Sequence, residues 1–289
     1  MIHALTIDVE DYHNIIARDW LGRDFPPTRA VVENTRRLLA RFAAHGVRGT
    51  FFTLGEVAVT HPDLVREIAA GGHELGVHGF YHRQVFKLTP ESFRREVVDA
   101  KRAIEDLTGT AVRGHRAPAF SIMPETRWAL DVLAEAGFEY DSSVFPIRGR
   151  RYGWPGFRRD IHVLRTDGGR SLVEVPLSTV GIGGLRIPVC GGGYMRHFPG
   201  FVSRWALRAV QRERPAVIYT HPYEIEVDPP DPDFAALRGR ARRRLRIMHW
   251  LQKRNRCSVI GKIESLLTRF QFAPLGEIID GPASLSARG

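Results

Sequence analysis

Short runs rich in β-branched and aromatic residues alternate with segments of helical period along most of this 289-residue chain, and that alternation limits the fold more than any other feature. The first run, His3 to Asp8, ends in carboxylates. Thr28 to Ala44 has helical periodicity through Val31, Val32, Leu38, Leu39 and Phe42, and stops at His45-Gly46, where a glycine suits a left-handed cap. Val47 to Leu54 reads as the next strand and His61 to Ala70 as the next helix, with Pro62 in its first turn. Gly71-Gly72 breaks that helix before a strand at Glu74 to His78. A long helix from Thr89 to Leu107, a strand at Val112–His115, a helix from Glu125 to Ala136 and a strand at Phe138–Tyr140 follow. After Gly153 the order loosens, with short strands near Ile161–Leu164 and Leu172–Val175 and glycine-rich loops at Gly181–Gly184 and Gly191–Gly193. Pro199 to Gln211 then reads as a helix and Ala216 to Thr220 as a late strand. Strands separated by helices join in parallel, which predicts an α/β fold, either a barrel or doubly wound.

The polar residues favour the barrel. Asp8 to Asp11, His78 to His82, Arg116 and His221 all fall at or just beyond the C-terminal ends of expected strands. In a β/α barrel those ends converge on one face, where catalytic groups gather. His78 and His82, four residues apart, are expected on one face of a helical turn, and imidazole is the commonest metal ligand. With one carboxylate they make a set that leaves positions open for water and substrate, as at hydrolytic rather than structural metals.

A hydrophobic content of 43% is enough for a sizeable core. Cys190 and Cys257 offer no disulfide framework and read as ordinary buried thiols. Charged residues arrive by Asp8, before any leader-type apolar segment, and no apolar run approaches the roughly 20 residues needed to span a bilayer. The expectation is a cytoplasmic protein, with the inner face of the membrane as a peripheral station. Net charge is +10, concentrated between Arg238 and Arg256, a run without acidic residues. Leu245, Ile247, Met248, Trp250 and Leu251 thread through it, which predicts an amphipathic helix packed on the domain. Such a run suits anionic lipid, substrate phosphates or a merely solvated face. No helix-turn-helix, zinc-finger or RNP-type motif accompanies it, so nucleic acid is disfavoured.

The pieces TIDVEDYH (Thr6–His13), TFFTLG (Thr50–Gly55), GGHELGVHGFYH (Gly71–His82), GHRAPAF (Gly114–Phe120), FEYDSS (Phe138–Ser143) and YTHPYEI (Tyr219–Ile225) stand in one order. In them the chain resembles the NodB-homology polysaccharide deacetylases, carbohydrate esterase family four, most closely the branch associated with bacterial exopolysaccharide-export loci. The resemblance implies a distorted (β/α)7 barrel over residues 1–233; the basic stretch 234–289 lies outside it and is expected to pack on the barrel as a helical C-terminal extension. It also implies a metal-dependent hydrolase that removes acyl groups from N-acylated sugars.

Residue by residue, the resemblance makes Asp8 the general base, His78 and His82 metal ligands, and Arg116 the partner that orients the base. The backbone N–H of Ala119 becomes the oxyanion donor, after Pro118 has kept the chain extended, and His221 becomes the general acid. Zinc is the first expectation for the metal, with cobalt, nickel and manganese compatible with the same ligands. Two departures stand out. Val9 follows the base where the family has its metal-binding Asp, so either Glu10 or Asp11 completes the metal set. Glu10 shares the face of Asp8 if the strand continues and is slightly favoured; Asp11 has the more usual side chain. Tyr219 stands where a Leu usually lines the acetyl pocket, which narrows that pocket or makes it more polar.

Pro118, Phe120 and Asp141 also fall in the expected pocket, with Asp141 a candidate as well to orient His221 or Arg116 or to cap a turn, and Glu224 lies one turn past His221 and is a candidate for the cleft wall. Tyr194, Trp154 and Trp205 are candidates to stack on sugar rings. His73 is assigned a structural role. The expected reaction is removal of the N-acetyl group from a glycan, glycolipid or sugar nucleotide in surface-polysaccharide biosynthesis. A non-sugar linear or cyclic amide is the alternative substrate, and a non-catalytic glycan-binding module the alternative from another class.

Overall fold

The computed structural model describes residues 1–149, 152–189, 191–226 and 238–281. Cys190 and the junction expected at 233/234 lie outside the described residues. The strands are β1 (Ile2–Val9), β2 (Thr50–Thr53), β3 (Glu74–Val77), β4 (Gly114–His115), β5 (Tyr140–Asp141), β6 (His162–Arg165) and β7 (Ser171–Glu174), then β8 (Thr179–Ile182), β9 (Leu185–Pro188), β10 (Val217–Thr220) and β11 (Gln271–Ala273). Between the early strands run α1 (Tyr12–Leu21), α2 (Arg29–Ala44), α3 (Gly55–Thr60), α4 (Pro62–Ala70), α5 (Pro90–Thr108) and α6 (Trp128–Glu135). Later come α7 (Gly192–His197), α8 (Gly200–Val210), α9 (Gly239–Lys253), α10 (Val259–Leu267) and α11 (Leu275–Asp280).

The sheet runs β10-β1-β2-β3-β4-β5-β7-β6. Every neighbouring pair from β10 to β7 is parallel, and only the outer β6 turns antiparallel. This is the expected α/β architecture with a mostly parallel sheet. Among the described residues no ladder joins β6 back to β10, so hydrogen bonding does not close the barrel; Gly191 adds a single parallel bridge to Tyr219. The C-terminal stretch is helical as expected and also adds β11, which pairs with the start of β1. Three residues between α10 and α11 carry too little pattern to announce a strand.

Alternation along β1 gives the sheet two different faces. Leu5, Ile7 and Val9 join Phe51, Val77 and Ile218 in the larger core beneath the helices. Ala4 faces the other way with Phe52, Tyr140, Val217 and Tyr219 in a smaller cluster. Gly76 and Gly114 make room for those rings: a Cβ on Gly76 would stand 2.5 Å from the Phe52 ring, and one on Gly114 2.1 Å from that of Tyr140. Thr6, Asp8 and Glu10 continue the Ala4 face towards the C-terminal edge of the sheet. The helices close the other side with stripes such as Val31, Leu38 and Phe42 on α2 and Phe93, Val97, Ala100 and Ile104 on α5.

Candidate metal centre and active site

Glu10 leaves β1 one residue after its last paired position and stays buried. Its Oε1 lies 2.9 Å from His78 Nε2 and 3.0 Å from His82 Nε2. His78 follows β3 directly, and its Nδ1 lies 2.8 Å from the Arg116 carbonyl. A carbonyl only accepts, so Nδ1 carries a proton and Nε2 is the nitrogen turned towards Glu10. Two imidazole nitrogens and a carboxylate oxygen therefore converge, all within 4.8 Å of one another. Two imidazole nitrogens and a carboxylate oxygen at such distances can share a cation, and the donor set fits a divalent metal of zinc type.

The two histidines do not share a helical turn. Gly79 has φ +74° and His82 φ +57°, so the chain folds back irregularly and presents both rings to Glu10. Asp11 is turned to other work: its carboxylate caps α1 through His13 N and also accepts from Thr28 N. Of the two candidates left open in the sequence, Glu10 stands in the cluster and Asp11 outside it.

Asp8 sits beside this cluster, its Oδ1 2.8 Å from Arg116 Nη1. Arg116 is fully buried and has four hydrogen-bond acceptors: Asp8, Thr6 Oγ1, Ser142 O and Ser142 Oγ. Its guanidinium also lies 4.3 Å from the centre of the Phe52 ring. A buried charge fixed on so many sides holds its carboxylate partner in one orientation. Sequence reasoning missed Thr6 and Ser142 because hydroxyl residues within or just after strands carry no distinctive pattern.

His221 approaches from the end of β10, with Nε2 3.8 Å from both Asp8 Oδ2 and Glu10 Oε1 and Nδ1 3.3 Å from Glu224 Oε2. Burial disfavours its charged form, but Glu10, Glu224 and Asp8 outweigh that and raise its pKa to about 9. Burial likewise opposes the charge of Glu10, yet His82 and His221 hold its carboxyl well below the ordinary range. Glu224 is buried next to Arg196 as well as His221, and its carboxyl is also held low. The His221 ring stacks on Tyr223 at 4.8 Å, and Tyr223 packs on Tyr12 at 5.3 Å. The buried Arg256 guanidinium lies 4.4 Å over Tyr12 and 5.3 Å over Tyr223, so the C-terminal stretch braces this wall.

Asp8, Glu10, His82, His221 and Glu224 all border one cleft of about 900 Å³. Ala119, Phe120, Tyr194 and Tyr219 line it too, whereas Pro118 is buried behind it against Gly79. The chain does not stay extended after Pro118: Ala119 and Phe120 both take φ 52°. Left-handed conformation at non-glycine residues is uncommon, and among the described residues three of the four cases, His82, Ala119 and Phe120, are at this cleft. Asp141 is not in the cleft wall. It is wholly buried, binding His115 and the backbone and hydroxyl of Ser143, whose Oγ accepts from Ala117 N. Trp154 packs with Phe157 away from the cleft, and Trp205 stands exposed on α8. His73 has the expected structural role, accepting from Gly49 N and packing on Phe51. Cys257 is exposed rather than buried.

Fold and site together define a parallel α/β protein with metal-ligand chemistry and an Asp–Arg pair at the C-terminal edge of its sheet. Residues 24–140 match the polysaccharide deacetylase family, and residues 142–280 match a domain of unknown function, DUF3473. His78, His82 and Arg116 fall in the first match and His221 in the second, while Asp8 and Glu10 precede both. The chain is 31% identical over 101 residues to a peptidoglycan-N-acetylglucosamine deacetylase of Bacillus cereus, covering 35% of this chain and 37% of that protein. It is 33% identical over 116 residues to a chitooligosaccharide deacetylase of Bradyrhizobium, covering 40% and 51%. It spans between about a quarter and a half of the length of the curated relatives it matches. Its fold is similar to that of a putative polysaccharide deacetylase from Mycobacterium smegmatis, at TM-score 0.63 and 20% identity over 100% of this chain and 91% of that one. It is also similar to Puue allantoinase, at TM-score 0.60 and 17% identity over 96% and 89%.

Proposed function

We propose that this chain is a metal-dependent deacetylase that hydrolyses the N-acetyl amide of a sugar in a glycan, glycolipid or sugar nucleotide during surface-polysaccharide biosynthesis. The observation that carries this reading is the meeting of Glu10, His78 and His82 with the Asp8–Arg116 pair and His221 in one cleft. Relatives named as N-acetylglucosamine and chitooligosaccharide deacetylases supply the substrate class.

His78, His82 and Glu10 would hold the cation, zinc first among metals that accept two imidazoles and a carboxylate. Such an ion, when bound, lowers the pKa of a coordinated water towards ~7 and polarises the amide carbonyl. Asp8, oriented by Arg116, takes the proton of the attacking water. The N–H of Ala119 donates to the developing oxyanion. His221 gives its proton to the leaving nitrogen, which cannot depart as an anion. Tyr219 and Phe120, packed edge to face at 4.8 Å, form an aromatic wall for the acyl group and the sugar ring.

The test is acetate release by the zinc-loaded full chain from N-acetylglucosamine oligomers, N-acetylated sugar nucleotides and lipid-linked N-acetylated sugars. Release that stops on chelation, returns with zinc and is lost in His78→Ala is the expected result. No release from any of these by metal-loaded protein rejects the sugar substrate, and release unaffected by chelation rejects the metal.

A further inference from the structure

Helix α9 is set into the protein by one narrow face. His249 is its buried residue, with Nδ1 2.7 Å from the Tyr12 hydroxyl. Gln252, three residues on, accepts from Arg196 through its backbone and side-chain oxygens and borders the cleft. Helical periodicity puts Ile247, Trp250 and Leu251 on the opposite side, and they are 50%, 57% and 42% exposed. The same periodicity brings Arg240, Arg243, Arg244 and Arg254 to that outer side, all exposed. The Arg254 guanidinium lies 5.3 Å from the Trp250 ring.

A solvated helix face carries charge without large apolar side chains in its middle. Phosphate recognition uses the arginines but leaves Ile247, Trp250 and Leu251 in water. A face bearing both has the composition of a helix lying in a membrane interface, where apolar side chains enter the acyl boundary and arginines reach up to phosphates. Among the described residues no helix is long and apolar enough to cross a membrane.

We propose that α9 docks the protein on an anionic lipid surface, Ile247, Trp250 and Leu251 entering the acyl boundary while Arg240, Arg243, Arg244 and Arg254 bind lipid phosphates. Charge complementarity selects this occupant: the run from Arg238 to Arg256 has no acidic residue, in a chain of net charge +10. Because Gln252 sits on the same helix, docking brings the cleft close to the lipid surface. The docking surface stands independently of the proposed reaction.

The experiment is cosedimentation of the full chain with vesicles of phosphatidylcholine alone, or of phosphatidylcholine and phosphatidylglycerol in equal amounts. Binding is expected only with phosphatidylglycerol and weakens as salt screens the exposed charges. The triple variant Arg240→Gln, Arg243→Gln, Arg244→Gln lowers the partition coefficient on the order of a hundredfold. The triple variant Ile247→Ser, Trp250→Ser, Leu251→Ser lowers it by at least about tenfold, with an unchanged thermal midpoint because these side chains are already exposed. Vesicles shift tryptophan emission to the blue in the parent and not in Trp250→Ser. Equal binding to both vesicle types, or full binding by the serine variant, overturns the proposal. So does binding of a double-stranded oligonucleotide that the arginine variant loses and the serine variant keeps, if vesicle binding follows the same pattern.

Discussion

Arg196 and Glu224 form a buried ion pair, Nε to Oε1 at 3.3 Å, and the other Glu224 oxygen lies 3.3 Å from His221 Nδ1. That second oxygen also accepts from Thr220 Oγ1 and from His221 N, so four contacts from three residues fix the carboxylate. Glu224 belongs to the tight turn Pro222–Ile225 that follows β10, whereas Arg196 arrives on α7, which begins within the glycine run Gly191–Gly193 that the sequence suggested as a loop.

From this pairing, Glu224→Gln is expected to lower kcat by about tenfold or more with little change in KM, because glutamine keeps the ring in place but not its charge stabilisation. Arg196→Met leaves Glu224 buried without its cation and costs about 3–5 kcal/mol of stability. Steady-state kinetics and urea unfolding separate the two effects. Unchanged kcat in Glu224→Gln would exclude Glu224 from stabilising the charge of His221.

Glu10 and Asp11 are adjacent in sequence and different in task. Glu10→Gln is expected to lose bound metal at a free-metal concentration where Asp11→Ala keeps it. Asp11→Ala instead loses about 1–2 kcal/mol, the usual range for a helix N-cap. Metal content after gel filtration and the urea midpoint read the two outcomes. Metal retained in Glu10→Gln and lost in Asp11→Ala would reverse the assignment.

Much of this was legible in the sequence, and the exceptions share a cause. Period-two alternation carried Asp8 and Glu10 to one face, and strand order brought His78, Arg116 and His221 to the same edge. What failed was local backbone geometry. The HxxxH spacing suggested a helical turn, but Gly79 and His82 in left-handed conformation bend the chain otherwise. Pro118 promised extension, yet the two residues after it turn left-handed under tertiary constraint. Asp141 looked like a cleft residue from its motif, but its neighbours His115 and Ser143, invisible as partners in one dimension, bury it. Arg196, Gln252 and Arg256 reach the site from stretches with no motif, so only the folded chain reveals them.

His3 and His73 give the fold an acid sensitivity separate from the active site. Burial lowers each pKa from 6.5 to about 4, and each Nδ1 accepts a backbone N–H, from Ala216 and Gly49 respectively. The unfolded chain binds these protons below about pH 6.5, and the folded chain resists them until about pH 4. Their contribution is complete above the first value and is lost as pH falls towards the second. Urea midpoints measured across that window should decline less steeply in a His3→Asn, His73→Asn variant than in the parent. Identical slopes would show that other groups govern the acid limb.

Asp8 and Arg116 should separate catalysis from metal binding. The Asp8 carboxylate lies beside the metal-ligand cluster but is fixed by Arg116, so Asp8→Asn removes the base while Glu10, His78 and His82 remain. The expected loss in kcat is about 10²–10⁴-fold, the range for a general acid or base, with metal content unchanged. Arg116→Met behaves differently. It leaves the Asp8 carboxylate buried without its cation, so both kcat and stability fall, the latter by about 3–5 kcal/mol. An added Asp8→Asn change should restore part of that stability without restoring turnover, because it removes the unpaired charge and the base together. Kinetics, metal analysis and urea unfolding on the three variants check each part, and full metal-dependent turnover in Asp8→Asn would exclude Asp8 as the base.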